Sequence, residues 1–260
     1  SRGLVGSEMC IRDRMYSIVS KVVGAVPKKI MEDVNFNLNI ENLIDQTNDA
    51  TKVIYIASPN NPTGTYLSRD QLVKLMNSIS KNIIVVIDGA YVEYVQKDDY
   101  DKGFSLTDEY ENIILTRTFS KTYGLAALRV GWCYTSQKIA DIINKIKPPF
   151  NTTTISQSLA IKALEDKEHI ENSVKLNSEI KDWFEKELKL LNIKTRQTEG
   201  NFTLIETSEE EAEKISNHLM NDGIIIRRLN SYNLPNFLRI SIGTKEEMNL
   251  TVESLKKFNV

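Results

Sequence analysis

Lys52-Val-Ile-Tyr-Ile-Ala57, Ser68-Arg-Asp-Gln-Leu-Val-Lys-Leu-Met-Asn-Ser-Ile-Ser80 and Ile83-Ile-Val-Val-Ile-Asp88 follow one another in the chain. The first and last are short β-rich runs, and the middle one is amphipathic with a serine at its start, the pattern of strand, capped helix and buried strand. Two strands joined by a helix imply a parallel pair, so the unit predicts an α/β sheet. Working outward, Asn112 to Arg117 and Val130 to Tyr134 read as further strands. Ser136 to Ile146 and Thr154 to Leu164 read as helices separated by Pro148-Pro149, and Lys167 to Leu191 as a long connecting helix. Beyond it, strands at Phe202 to Glu206, Ile224 to Arg228 and Leu238 to Ile242 alternate with helices near Glu209 to Asn221 and Lys245 to Lys257. The expected architecture is a mostly parallel central sheet flanked by helices over residues 15–166, followed by the connecting helix and a small carboxyl-terminal α+β domain over 167–260.

Composition narrows the function classes. With 260 residues, 41% hydrophobic, 26% charged and a net charge of -2, the chain is an ordinary globular protein without the basic surplus of a nucleic-acid binder. Cys10 and Cys133 are too few for a disulfide framework and fit no zinc spacing, so a reducing cytoplasm is the expected setting and no metal site is expected. No apolar run approaches the roughly 20 residues that cross a bilayer. Residues 1–14 lack the apolar stretch and cleavage site of a signal peptide and look foreign to the rest, so fold reasoning starts at Met15.

In an open α/β sheet, ligands gather at the carboxyl ends of the strands. After the first strand, Ser58-Pro-Asn-Asn-Pro-Thr-Gly64 is a proline-stiffened loop offering Asn60 or Asn61; alone it reads as a tight strand-to-helix turn whose asparagines satisfy backbone groups. Asp88 closes the second strand after five apolar residues and needs a cation or a charge-assisted hydrogen bond, unless it caps a helix; Tyr91 follows it. The third strand runs into Thr116-Arg-Thr-Phe-Ser-Lys121 and on to Arg129. There Lys121 could serve as an amine nucleophile, and Thr118, Ser120 and Arg129 could hold a phosphate; a solvated lysine is the plain alternative. Arg239 lies within an apolar strand and should meet an anion, either a substrate carboxylate or an internal glutamate.

Together these segments resemble the fold-type-I aminotransferases that use pyridoxal 5'-phosphate (PLP), and within them the histidinol-phosphate aminotransferase branch. The resemblance rests on Asn-Pro-Thr-Gly at 61–64, Asp88 with Ala90-Tyr91, and Thr-Phe-Ser-Lys at 118–121. It continues through Gly-Leu-Ala-Ala-Leu-Arg-Val-Gly at 124–131, Pro-Phe-Asn at 149–151, Asn-Phe at 201–202 and Leu-Arg-Ile-Ser-Ile-Gly-Thr at 238–244, all in family order.

The resemblance implies a PLP-binding large domain in which Lys121 carries the cofactor as a Schiff base and moves a proton. It implies that Asp88 pairs with the pyridine nitrogen, Asn61 and Tyr91 bond the phenolic oxygen, and Thr118, Ser120 and Arg129 bind the phosphate. Arg239 and Arg227 would grip the substrate, an amino acid or histidinol phosphate, with a 2-oxo acid such as 2-oxoglutarate as acceptor, in a homodimer. Two departures stand out: Arg228 replaces a common proline or aspartate, and Gly89 a common glutamate, the latter expected to have little consequence. Family members also carry a further amino-terminal region with an anchoring arm, a Gly-Ser loop and an aromatic that stacks on the cofactor. The aromatic's place falls here on Asp13, so the chain is expected to be a fragment. A PLP lyase or decarboxylase of the same fold, and a non-catalytic remnant with weak phosphate-ligand binding, are the competing readings.

Overall fold

The computed structural model describes residues 5–9 and 14–258. They divide into two compact units, one running to Asn61 and from Thr65 to Ile170, the other comprising Pro62–Gly64 and the chain from Glu171.

The first unit contains, in order, β1 (Val5–Met9), α1 (Arg14–Val22), β2 (Lys28–Lys29), α2 (Ile40–Gln46), β3 (Thr51–Ala57), α3 (Arg69–Ser78), β4 (Ile84–Asp88), α4 (Phe104–Glu109), β5 (Ile113–Thr118), β6 (Gly131–Thr135), α5 (Gln137–Ile146) and α6 (Thr154–Glu165). Its sheet has the order β2-β1-β3-β4-β5-β6. All neighbours are parallel except β6, which runs antiparallel to β5. The reversal has a local cause: the segment between β5 and β6 contains only a short 3-10 turn at Ala126–Leu128, and a parallel return needs a full crossover. β1 comes from the segment set aside as foreign. A strand requires only main-chain partners, and this one finds them on both sides.

Side-chain alternation gives the central strands two distinct faces. One carries Ile54, Ile56, Val85, Ile87, Ile113 and Leu115, which form the core with Leu72, Leu75 and Met76 of α3. The other carries the half-buried Tyr55, Ala57, Asp88, Thr116 and Thr118. α3 starts at a full capping box, in which the Ser68 hydroxyl accepts from the Gln71 amide and the Gln71 side chain accepts from the Ser68 amide. Ser68→Ala is expected to cost about 1 kcal/mol of stability, read from the urea midpoint.

Most of α7 (Lys167–Leu190) lies in the second unit, followed by β7 (Lys194–Arg196), β8 (Phe202–Glu206), α8 (Glu209–Asn221), β9 (Arg227–Leu229), β10 (Leu234–Ser241) and α9 (Lys245–Phe258). The strands form an antiparallel sheet in the order β7-β8-β10-β9. Ile205, Leu238 and Ile240 pack one of its faces against Phe184, Leu188, Ile215, Leu219, Val252 and Leu255 of the helices. Two strand expectations shift here. Ile224 to Ile226 precede β9 rather than joining it, and β10 starts at Leu234, because the turn at Asn230–Tyr232 brings Leu229 and Leu234 into register. In the same unit the Glu199 amide donates to the Gly64 carbonyl at 2.7 Å. Gly64 has φ +76°, and a Cβ there would lie 2.3 Å from Thr198 Cβ, so only glycine fits.

Candidate functional site

The carboxyl ends of β3, β4 and β5 lie side by side, with Ala57 opposite Asp88 and Asp88 opposite Thr116. The Ser58 amide donates to the Asp88 carbonyl at 3.0 Å, which fixes the start of the 58–64 loop against the end of β4. Within that loop Asn60 is buried, donating from Nδ2 to Glu32 Oε1 at 3.0 Å and from its amide to Thr65 at 2.7 Å. Asn61 remains half-buried. Of the two asparagines that the sequence left open, Asn60 is thus tied to the loop and to Glu32.

Asp88 accepts a hydrogen bond at Oδ2 from the Tyr16 hydroxyl, and the Tyr16 ring stacks on Tyr55 at 4.8 Å. Nothing in the motif spacing pointed to Tyr16, because 72 residues separate it from Asp88. Tyr91 is 3% exposed. The Lys121 amine stands 5.1 Å from the centre of its ring, in cation–π range. After β5, the Thr118 hydroxyl accepts from the Ser120 amide at 3.1 Å, and Arg129 reaches the Ser120 hydroxyl at 3.4 Å and the Ala126 carbonyl at 2.8 Å. Arg129 has φ +49°, a left-handed conformation that turns the chain back toward Ser120. The structure thus gathers Thr118, Ser120 and Arg129 into one cluster of phosphate-type donors next to Lys121. Asp13, where the stacking aromatic was sought, lies outside the described residues.

Two polar groups beneath these loops, one buried and one half-buried, went unread in the sequence. Arg117 is 5% exposed and Glu93 lies in the turn after Tyr91, with Glu93 Oε2 3.5 Å from the Thr122 hydroxyl. Burial pushes the Glu93 carboxyl above its usual range, against the smaller opposing pull of its own backbone and of Arg117. The unfolded chain therefore releases this proton first, and the folded state loses stability as pH rises from about 4.5 through the raised folded value. Glu93→Gln should flatten that decline, as a thermal-unfolding series across acid and neutral pH will show.

In the second unit Arg239 on β10 lies directly opposite Arg227 on β9, so both side chains leave the same face of the sheet. The Arg239 guanidinium also sits 5.3 Å over the Phe202 ring. Arg228 takes the other face, 3.5 Å from Glu213. Like charges placed directly opposite repel, and an anion bound by both arginines would relieve that cost.

A PLP site needs an acceptor for a pyridinium N–H, an amine, and several phosphate donors. Asp88, Lys121 and the Thr118–Ser120–Arg129 cluster are those groups, and Asp88 already accepts a protein O–H at the sheet edge, so the residues fit the cofactor. Among the described residues no cluster of potential metal ligands occurs and no helix is long and apolar enough to cross a membrane.

Comparison with known proteins gives the family and the fold. The family described as "Aminotransferase class I and II" matches residues 14–255. A histidinol-phosphate aminotransferase from Pelagibacter ubique is 41% identical over 251 residues, which is 94% of this chain and 69% of that protein. One from Rhodopseudomonas palustris is 35% identical over 247 residues, 94% of this chain and 67% of that protein. The crystal structure of histidinol-phosphate aminotransferase from Sinorhizobium meliloti in complex with pyridoxal-5'-phosphate superposes with a TM-score of 0.89 at 23% identity, over 98% of this chain and 72% of that one. The chain thus spans about two thirds to three quarters of the length of these relatives, and it belongs to the class I and II aminotransferase family.

Proposed function

We propose that the chain transfers an amino group between an amino acid or histidinol phosphate and a 2-oxo acid such as 2-oxoglutarate, with PLP bound at the exits of β4 and β5. The observation that carries this reading is the placement of Lys121 over Tyr91, beside the Thr118–Ser120–Arg129 donors. PLP, when bound, supplies an electron sink for the bond to the substrate's α-carbon. The chain supplies the rest. Asp88 holds a proton donor at its carboxylate, Asn61 and Tyr91 offer donors beside it, and the hydroxyl–arginine cluster takes the phosphate. Lys121 provides the amine that anchors the carbonyl end and that removes and returns the proton at the α-carbon.

Arg239 and Arg227 form the anion grip, suited to a carboxylate or a phosphate because each guanidinium can bond two oxygens. In this reading the first unit is the PLP-binding large domain and the second the small carboxyl-terminal domain. A homodimer is supported by the large apolar side chains left exposed along α5, α6 and the loop between them, among them Ile142, Ile146, Phe150 and Ile155.

The test is amino transfer by the PLP-loaded chain from histidinol phosphate or glutamate, with and without a 2-oxo acid. Turnover that depends on the 2-oxo acid supports the reading. Loss of carbon dioxide or elimination without that dependence points to the lyase or decarboxylase alternative, and no PLP-dependent chemistry points to a non-catalytic binder. Arg227→Ala is expected to raise KM for the phosphorylated donor about tenfold while leaving kcat nearly unchanged, since it removes one charged hydrogen bond from ground-state and transition-state binding alike.

A further inference from the structure

Arg117 lies on the opposite face of the sheet from Asp88. Thr116 pairs with Asp88, so the next residue, Arg117, turns to the core face behind it. There its guanidinium donates to the Thr116 carbonyl at 2.8 Å and to the Lys102 carbonyl. The rings of Phe104 and Trp132 flank it at 5.7 and 5.9 Å. The Thr116 carbonyl is a shared acceptor, since it also takes the Gly89 amide at 3.0 Å. Gly89 itself lies on the guanidinium: a Cβ there would come 2.2 Å from Arg117 Nη1 and 2.5 Å from Val92 Cγ1. Burial weakens the hold of Arg117 on its proton, and the negative groups that counter this include Glu93 and Asp88. A glycine expected to be inconsequential is thus the seat of a buried cation.

We propose that Arg117 is a positioning residue of the site: by locking Gly89 to the Thr116 carbonyl and bridging to Lys102, it fixes Asp88 and the Tyr91 turn relative to the loop that carries Lys121. This rests on the PLP site proposed above. Asp88 precedes Gly89 directly and Lys121 lies four residues beyond Arg117, so a shift of the guanidinium moves both groups that must converge on one ring. Displacements of about 1 Å at reacting groups can cost on the order of a hundredfold in rate. Lysine cannot replace the planar fork, because a single ammonium does not span two carbonyls while lying flat against a main chain.

The experiment compares wild type, Arg117→Lys, Gly89→Ala, the double variant, and Leu115→Val as a control that loosens the same core face without touching Gly89. Each is followed by thermal unfolding, by amide exchange of the Asp88–Glu93 and Phe119–Thr122 segments without cofactor, and by PLP titration with the pH midpoint of the visible absorbance band. Arg117→Lys should speed exchange in both segments, weaken PLP about tenfold, as expected for roughly one charge-assisted hydrogen bond, and move the pH midpoint. Leu115→Val should lower the unfolding temperature alone. Gly89→Ala should act like Arg117→Lys, and the double variant should be no weaker than either single one, because both remove the same contact. The proposal is overturned if Arg117→Lys matches Leu115→Val in exchange and pH midpoint, or if the two single losses multiply. A wild type that binds no PLP would defeat the functional reading, while the exchange data would still decide whether Arg117 positions these segments.

Discussion

Lys121→Ala is expected to slow amino transfer by the PLP-loaded chain on the order of 10²- to 10⁴-fold, the span over which a positioned general acid–base contributes. The expectation follows from where the amine stands. It is half-buried above Tyr91, in a loop that leaves β5 directly and is folded back by the left-handed Arg129. Removing a side chain from that loop takes nothing from the apolar core, which lies on the other face of the sheet. The variant should therefore fold and still retain the phosphate donors Thr118, Ser120 and Arg129, so PLP binding should weaken far less than turnover. Single-turnover absorbance with the amino donor gives the rate. Borohydride reduction of the wild type with PLP, followed by peptide mapping, gives the site, and a label spread over surface lysines with Lys121 untouched would remove the basis for this role.

Asp88→Asn is expected to weaken PLP binding about tenfold to a hundredfold and to slow proton removal at the substrate's α-carbon. A hydrogen bond to a charged group contributes roughly 1.5–3 kcal/mol, and asparagine keeps the shape while losing the charge. Asp88 is held on three sides. Its main chain is paired between β3 and β5, its carbonyl takes the Ser58 amide, and its carboxylate takes the Tyr16 hydroxyl. The neighbouring strands β3 and β5 place no second carboxylate at this edge. Cofactor titration with a parallel thermal-unfolding measurement separates loss of affinity from loss of fold. Unchanged affinity in a folded variant would mean that the ring nitrogen is held elsewhere.

The central strands β3 to β6, the α/β class and the order of the chemical groups were legible in the sequence because they rest on local regularities. Alternation marks Lys52 to Ala57 and Ile83 to Asp88, Ser68 marks a helix start, and the sheet-edge rule then points to Asn60 or Asn61, Asp88, Tyr91 and Lys121 without coordinates. Other features depend on partners distant in the chain, which periodicity does not encode. Val5–Met9 becomes a strand because β2 and β3 present open main-chain groups on either side, and β6 turns antiparallel because no helix spans the gap from β5. Tyr16 of α1 meets Asp88 across 72 residues of chain, and Arg227 is set opposite Arg239 through sheet register. Gly89 reads as a missing side chain in the sequence and as the platform for a buried guanidinium in the fold. The sequence by itself determined which chemical groups this protein carries and at which strand ends. The tertiary structure decided which of them share a face, because a side chain's face is fixed by strand register and long-range packing rather than by its neighbours in the chain.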